Sequence, residues 1–344
     1  MAFPVPPKPP AAAAAVPPPT AAAATTEVTR DTLSMPADSF QTLLEEAAQS
    51  VQAAIADGQT LLEIEFPPLP ISKLEDSSLS AYDILSANLQ FSLEFVKRLG
   101  LDPATGAPRK VALTLADAAE RRRATQFFGD DEPYPGCKLW SLNGGGESGD
   151  EGFSPMALFG TIFKQGSGEV VAADFADMHI IVGASAQELP AIAKLADLAP
   201  NKPLICFNLK LDVLRGDLGL PALPPKAVHH EFLCKVKPVY YLRPRSYSLS
   251  LSVPPFLIAY QGVLYRRYPE GWQTLLDKGR STYRRVTVAA DRPNLGTFKS
   301  QLTSALKLSD EKAAASAISS AGFKQSTWWE DDNDRRDVSR AWRS

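Results

Sequence analysis

Short apolar runs that end at a glycine or a polar turn and hand over to a helical pattern recur along this chain. That alternation limits the fold more than any other feature. Residues 177–182 contain Met178, Ile180, Ile181 and Val182, then Gly183-Ala184-Ser185 turns the chain into a helical pattern over 186–198. Residues 203–208, Pro-Leu-Ile-Cys-Phe-Asn, repeat the apolar run. A run without polar alternation suits a strand covered on both faces, and helical connections between such strands make neighbours parallel. Upstream, Phe40, Leu44, Ala47, Val51 and Ile55 lie three or four residues apart and predict a helix over 39–57 that stops at Gly58. A strand over 60–66, a helix over 81–99 closed by Gly100, a strand over 110–115, a helix over 116–128 and a strand over 138–142 follow. The order predicts an α/β fold with a doubly wound, mainly parallel (Rossmann-like) sheet.

The pattern changes after Pro225. Residues 232–242, 248–253, 256–267 and 283–290 are rich in β-formers and lack long helical patterns between them, so the C-terminal half is expected to extend the sheet with antiparallel strands. Gln261-Gly262, between the apolar runs 256–260 and 263–265, reads as a hairpin turn, with Trp272 packed beneath it. Helices over 295–306 and 309–321 close the domain. These readings divide the chain into a leader over 1–36, one α/β domain over 37–324 and a Trp-containing charged tail over 325–344.

Composition excludes several classes. Residues 1–26 hold no acidic side chain and one basic one, Lys8, among Ala, Pro, Val and Thr. They bury too little to offset ordering entropy and read as a disordered leader or a transit-peptide remnant. With 36 basic and 39 acidic residues, net charge −3, no whole-chain field draws phosphate backbones, and no nucleic-acid partner is expected. No apolar stretch reaches the ~20 residues of a membrane-spanning helix, leaving at most peripheral membrane contact. Cys137, Cys206 and Cys234 lack ligand spacing and read as reduced core residues. His179 lies in a predicted strand, and adjacent His229 and His230 on a strand face opposite sides and cannot easily share a metal, so no metal and no cofactor is expected.

Catalytic motifs are weak. Asn143-Gly144-Gly145-Gly146 lacks a following GK[ST] and is flanked by Glu147, Asp150 and Glu151, which fits a surface loop better than a phosphate cradle. Neither GxGxxG after a strand nor a GxSxG elbow occurs, and no catalytic residue is assigned. The chemistry that stands out is arginine and tyrosine in the β-rich half: Tyr240, Tyr241, Arg243, Arg245, Arg266, Arg267, Tyr268, Arg284 and Arg285. Strand alternation lets Arg243 and Arg245 share a face and sends Arg266 and Arg267 to opposite faces. Converging guanidinium forks suit a carboxylate, a phosphate or an acidic partner surface; ordinary cross-strand packing explains the same residues without a ligand. Trp328 and Trp329 either fold back on the domain or anchor a partner. A third candidate is a ligand loop at the strand ends, Gly183, Ser185 and Asn208.

Residues 177–182, 203–208, 239–244 (Val-Tyr-Tyr-Leu-Arg-Pro), 262–272 (Gly-Val-Leu-Tyr-Arg-Arg-Tyr-Pro-Glu-Gly-Trp) and 291–293 (Asp-Arg-Pro) occur in an order that resembles a plastid and cyanobacterial domain-of-unknown-function family. That family includes the plant low photosystem II accumulation protein three, and its domain also occurs beside a plastid adenylate kinase. Leu209 stands where members often carry proline. The resemblance implies a chloroplast protein, in the stroma or on the stromal face of the thylakoid. It also implies a non-catalytic auxiliary role by protein–protein binding, with photosystem II assembly on a core subunit as the role of one member. The candidate binding residues are then Tyr241, Arg243, Arg245, Arg266, Arg267, Tyr268, Trp272, Trp328 and Trp329. The competing expectation is a nucleotide- or phosphometabolite-binding enzyme on the same frame.

Overall fold

In a computed structural model, the chain is described for residues 33–70, 73, 78–101, 106–144, 169–250, 254, 256–308 and 326–344. Met35–Ser344 forms one compact unit. The predicted helix over 309–321, Gly145, Gly146 and nearly all of the leader lie outside the described residues.

A nine-stranded sheet runs through the unit. The strands are β1 (Leu61–Glu65), β2 (Val111–Leu115), β3 (Cys137–Ser141), β4 (Met178–Ile181), β5 (Leu204–Phe207), β6 (Lys237–Ser250), β7 (Leu257–Arg267), β8 (Trp272–Asp277) and β9 (Tyr283–Ala289). Their spatial order is β3-β2-β4-β5-β1-β6-β7-β8-β9. The first six pair in parallel, and β6 to β9 pair antiparallel. The chain therefore steps from β1 out to β3 at one edge and returns through β4 and β5 to place β6 on the other side of β1. The expected parallel sheet with an antiparallel extension is the one found.

Helices cover both faces. On one, α1 (Phe40–Ala56), α2 (Ala81–Leu99) and α3 (Ala118–Phe128) pack over a core containing Leu62, Ile64, Leu113, Ile180 and Phe207. Local signals set their ends: the Ser39 side chain accepts from Thr42 N–H, Ser80 and Asp83 form a capping box, and Gly58 and Gly100 leave the helices at positive φ. Phe66 stands edge-on to Phe207, ring centroids 5.6 Å apart, and joins the two layers. On the opposite face, α4 (Leu189–Leu198), α5 (Leu211–Asp217) and α6 (Ala227–Glu231) pack on Ile181, Leu204 and Cys206. Farther along that face, α7 (Leu295–Ala305) lies on β7 and β8, and α8 (Trp328–Arg335) follows in the C-terminal tail. Cys137, Cys206 and Cys234 are buried free thiols.

Several local expectations fail. Gln261-Gly262 is not a turn but the middle of β7, where Gly262 pairs with Arg245 on one side and Leu276 on the other. Packing requires the glycine: a Cβ there would collide with the Leu302 side chain, so its absence lets α7 lie on the strand. Residues 272–277, read only as a site for a core tryptophan, form β8. The expected strands over 232–242 and 248–253 become a short 3-10 turn, Leu233–Lys235, and the single strand β6; residues 251–253 lie outside the described residues. His229 and His230 sit on α6, not on a strand.

Candidate functional site

β6 changes partners along its length. Lys237 to Tyr241 lie beside parallel β1, and Tyr240 to Ser250 pair with antiparallel β7. Period-2 alternation then puts Tyr241, Arg243, Arg245 and Tyr247 on one face, just past the carboxyl end of β1. Glu63 and Glu65 of β1 point to the same side, because Leu62 and Ile64 occupy the opposite core. α5 lies above them. It begins after Lys210, held at φ 55, and its three-residue spacing turns both Asp212 and Arg215 inward. The stretch after β9 adds Arg292.

These side chains meet on Asp212. Arg215 Nη1 donates to Oδ1 at 2.9 Å, and Arg292 donates to both carboxylate oxygens. Tyr241 Oη donates to Oδ2 at 3.1 Å. Arg243 Nη1 stands 3.0 Å from Oδ2 and 3.4 Å from Glu65 Oε1, while Arg245 Nη2 makes the longest contact, 3.5 Å. Aromatic rings enclose the guanidiniums: Arg292 lies 4.9 Å from the Tyr241 centroid and 5.3 Å from that of Trp272, and Arg215 lies 5.3 Å from the Trp342 ring.

Burial raises a carboxylate's pKa and nearby cations lower it, and the balance separates the three acids. At Asp212 burial pushes upward, but Arg292, Arg243, Arg215 and Arg245 prevail and hold the carboxyl well below its usual range. At Glu63 burial prevails over Arg215, with Glu65 and Asp212 adding to it, and the pKa rises to about 8. Neither Glu63 oxygen has a hydrogen-bond partner among the described residues. Glu65 is also raised, by burial against the pull of Arg243. Near neutral pH the four guanidiniums therefore face ionised Asp212 with Glu63 protonated beneath them, and the cluster carries surplus positive charge.

That surplus opens on a cleft of about 420 Å³. Asp212, Arg243 and Arg245 line its floor and Tyr247 one side; Trp329 and Glu330 from α8 form the facing wall. The side chains of Arg243 and Arg245 keep 23 % and 22 % of their surface exposed, enough to meet a ligand. Arg245 Nε and Tyr247 Oη are buried without a hydrogen-bond partner. Such a volume falls within the ~300–1,000 Å³ of ordinary ligand clefts.

Of the residues singled out in the sequence, Tyr241, Arg243 and Arg245 meet here. Arg266 lies behind them, 4 % exposed, between the rings of Trp272 and Tyr268, and burial lowers its pKa to about 10. Arg267 is on the other face, bonded to Glu46 and Gln49 of α1, and Tyr268 Oη donates to Asp57 at 2.6 Å. Trp272 is core, its Nε1 donating to Arg343 O at 2.8 Å. The tryptophan tail folds back on the domain: Trp328 Nε1 donates to Arg215 O, and Trp329 packs with Cys234 and Trp342. Gly183, Ser185 and Asn208 are not among the residues that line this cleft. Ser185 caps the turn into α4 with Glu188, and Asn208 accepts from Phe66 N–H and donates to Asn88. His229 is held neutral, its pKa lowered by burial to about 2, among His230, Trp328 and Trp342. Among the described residues no group of three or more His, Cys, Asp and Glu could hold a metal ion, and no helix is long and apolar enough to cross a membrane.

Sequence reasoning missed Asp212, Arg215, Glu63 and Glu65, and gave Arg292 no role. One signal was present: Leu-Leu-Glu-Ile-Glu places two carboxyls on one face of an otherwise apolar strand, where acids are rare unless paired.

Fold and cleft together define an α/β protein with a guanidinium-rich cleft where its parallel strands give way to antiparallel ones. The chain matches the family model described as "Domain of unknown function (DUF1995)" over residues 37–300, and it belongs to that family. No curated protein and no solved structure matches it. The Asp212 cluster lies inside the matched residues, whereas Trp329 and Glu330 lie beyond them.

Proposed function

We propose that this protein is a non-catalytic binding protein that captures an acidic group of a protein partner in the cleft beside Asp212. The observation that carries the reading is the excess of guanidinium over ionised carboxylate at the cleft floor. Asp212 is poorly placed to act as a base. Both its oxygens are engaged and its pKa is depressed, which suits a fixed counter-ion that holds the forks in place. The cellular reading comes from the resemblance of residues 239–244 and 262–272: a chloroplast auxiliary factor, stromal or at the stromal face of the thylakoid, whose partner is a photosystem II core subunit. A leader that works as a transit peptide belongs to the same proposal.

Affinity capture from plastid membranes tests it, with wild type and Arg243→Gln/Arg245→Gln run side by side. Wild type should enrich a photosystem II core subunit, and the double variant should lose most of that enrichment while still melting cooperatively. Equal capture by both chains would refute the cleft as the contact. Saturable stabilisation by a nucleotide, with no photosystem subunit retained, would favour the enzyme reading instead.

A further inference from the structure

The reading above leaves open which acidic group enters the cleft, and the following step rests on it. We infer that the cleft takes the phosphate group of a phosphate monoester, held by Arg243, Arg245 and Tyr247 Oη, with Asp212 as the built-in counter-ion.

Two observations point to phosphate over carboxylate, and a third admits an anion of either kind. First, Asp212 already fills the planar, two-oxygen position among the guanidiniums, with Arg292 on both of its oxygens. A second carboxylate would compete for donors the protein has satisfied. Second, unspent donor capacity borders the cleft. Arg245 spends only a 3.5 Å contact on Asp212, and its Nε and Tyr247 Oη, both shielded in the absence of ligand, have no hydrogen-bond partner among the described residues. A group with three acceptor oxygens offers such donors more partners than a two-oxygen group does. Third, the charge admits an anion. Arg215, Arg243, Arg245 and Arg292 face Asp212, Glu65 and Glu330, with Glu63 neutral below. That leaves about one net positive charge, which offsets part of the roughly −1.5 to −2 of a phosphate monoester.

The facing wall describes the rest of the ligand. Glu330 Oε2 is engaged by Thr327 N–H at 2.7 Å in the cap of α8, which leaves Leu295 and Trp329 to offer apolar cover to the alcohol part of the ligand. A phosphoserine in a peptide and a small sugar- or glycerol-type phosphate both have this chemistry.

Calorimetric titration of the full chain tests the inference, using inorganic phosphate, glycerol phosphate, a neutral peptide with one phosphoserine, and succinate as the carboxylate control, all at one ionic strength. The phosphate probes should bind saturably, one per chain, at least tenfold more tightly than succinate. Arg245→Gln should weaken them at least tenfold, and Tyr247→Phe severalfold. Tyr247→Phe keeps the ring and serves as the second probe should Arg245→Gln fold poorly. A phosphopeptide preferred over glycerol phosphate identifies a phosphorylated protein as the source, and the reverse preference a small ester. Succinate binding as tightly as phosphate, or phosphate binding unchanged in both variants, overturns the inference. In that event, capture of the partner that still depends on Arg243 and Arg245 would leave the acidic-surface reading standing. Conversely, phosphate binding that behaves as expected, without any capture, would remove that reading and keep this one.

Discussion

Asp212 is the counter-ion that four guanidiniums share, so its removal should cost far more than that of any one arginine around it. In Asp212→Asn, Arg215 and Arg292 stay buried without a counter-charge, and a loss of about 3–5 kcal/mol in urea unfolding is expected. Arg245→Gln should cost less than about 1 kcal/mol, because its contact is long and its side chain partly solvated. Glu63 predicts a pH effect. Its folded carboxyl titrates near 8 and an unfolded one near ~4.3, so between these values the folded state holds the extra proton and stability falls as pH rises. The slope should approach about 1.4 kcal/mol per pH unit, and Glu63→Gln should remove that part of it. Unfolding curves for both chains from pH 5 to 9 should diverge through the window and run parallel above it. Asp212 acts with the opposite sign: its depressed pKa contributes stability above the unfolded value near ~3.9, and this is lost as pH falls toward its folded value.

At the scale of elements, Gly262 holds α7 against β7. Gly262→Ala would push a methyl into Leu302, which is fully buried, and overpacking of this kind costs about 1–3 kcal/mol. Gly262→Ala with Leu302→Ala should recover part of the loss if the clash is the cause, as a double-mutant cycle in urea would show. The same glycine explains where the sequence misleads. Glycine between apolar runs is the signature of a hairpin, and nothing local reveals that a helix forty residues later needs the space. β6 was hidden for a related reason. Pro244, Ser246 and Ser248 break its apolar pattern, yet past Tyr241 the strand has no β1 neighbour, and a proline is tolerated where one edge is open. Helices α1 and α2 were legible almost to the residue because caps and glycine stops are local. The site was half legible: alternation alone puts Arg243 and Arg245 on one face. Asp212 and Arg292 arrive through long-range packing, 33 and 80 residues from their partners Arg245 and Asp212.

For the whole molecule, the buried side of the cluster, Arg215 and Arg292, is roofed by residues 342 and 343. Trp342 is 1 % exposed, with its ring against Arg215 and Arg292 and its Nε1 donating to Asn333 Oδ1 at 3.0 Å. Arg343 O accepts from both Arg292 N–H and Trp272 Nε1. The tail therefore stabilises the domain by covering a charged interior, and losing it should do more than remove an apolar contact. Trp342→Ala is expected to destabilise by about 3–5 kcal/mol, the range for a buried large aromatic. It should also admit water to Arg215, whose charge acts on Glu63 below. Hydration relieves the burial that raises the Glu63 pKa, so the pH slope assigned to Glu63 should shrink when Trp342 is removed. A cycle of Glu63→Gln, Trp342→Ala and the double variant, each unfolded in urea at pH 5.5 and 8.5, measures that coupling. Additive effects at both pH values would mean that the tail packs on the cluster without controlling its electrostatics. A Glu63→Gln effect that depends on pH only while Trp342 is present would identify the tail as the element that keeps the arginine cluster charged, dry and aimed at the cleft.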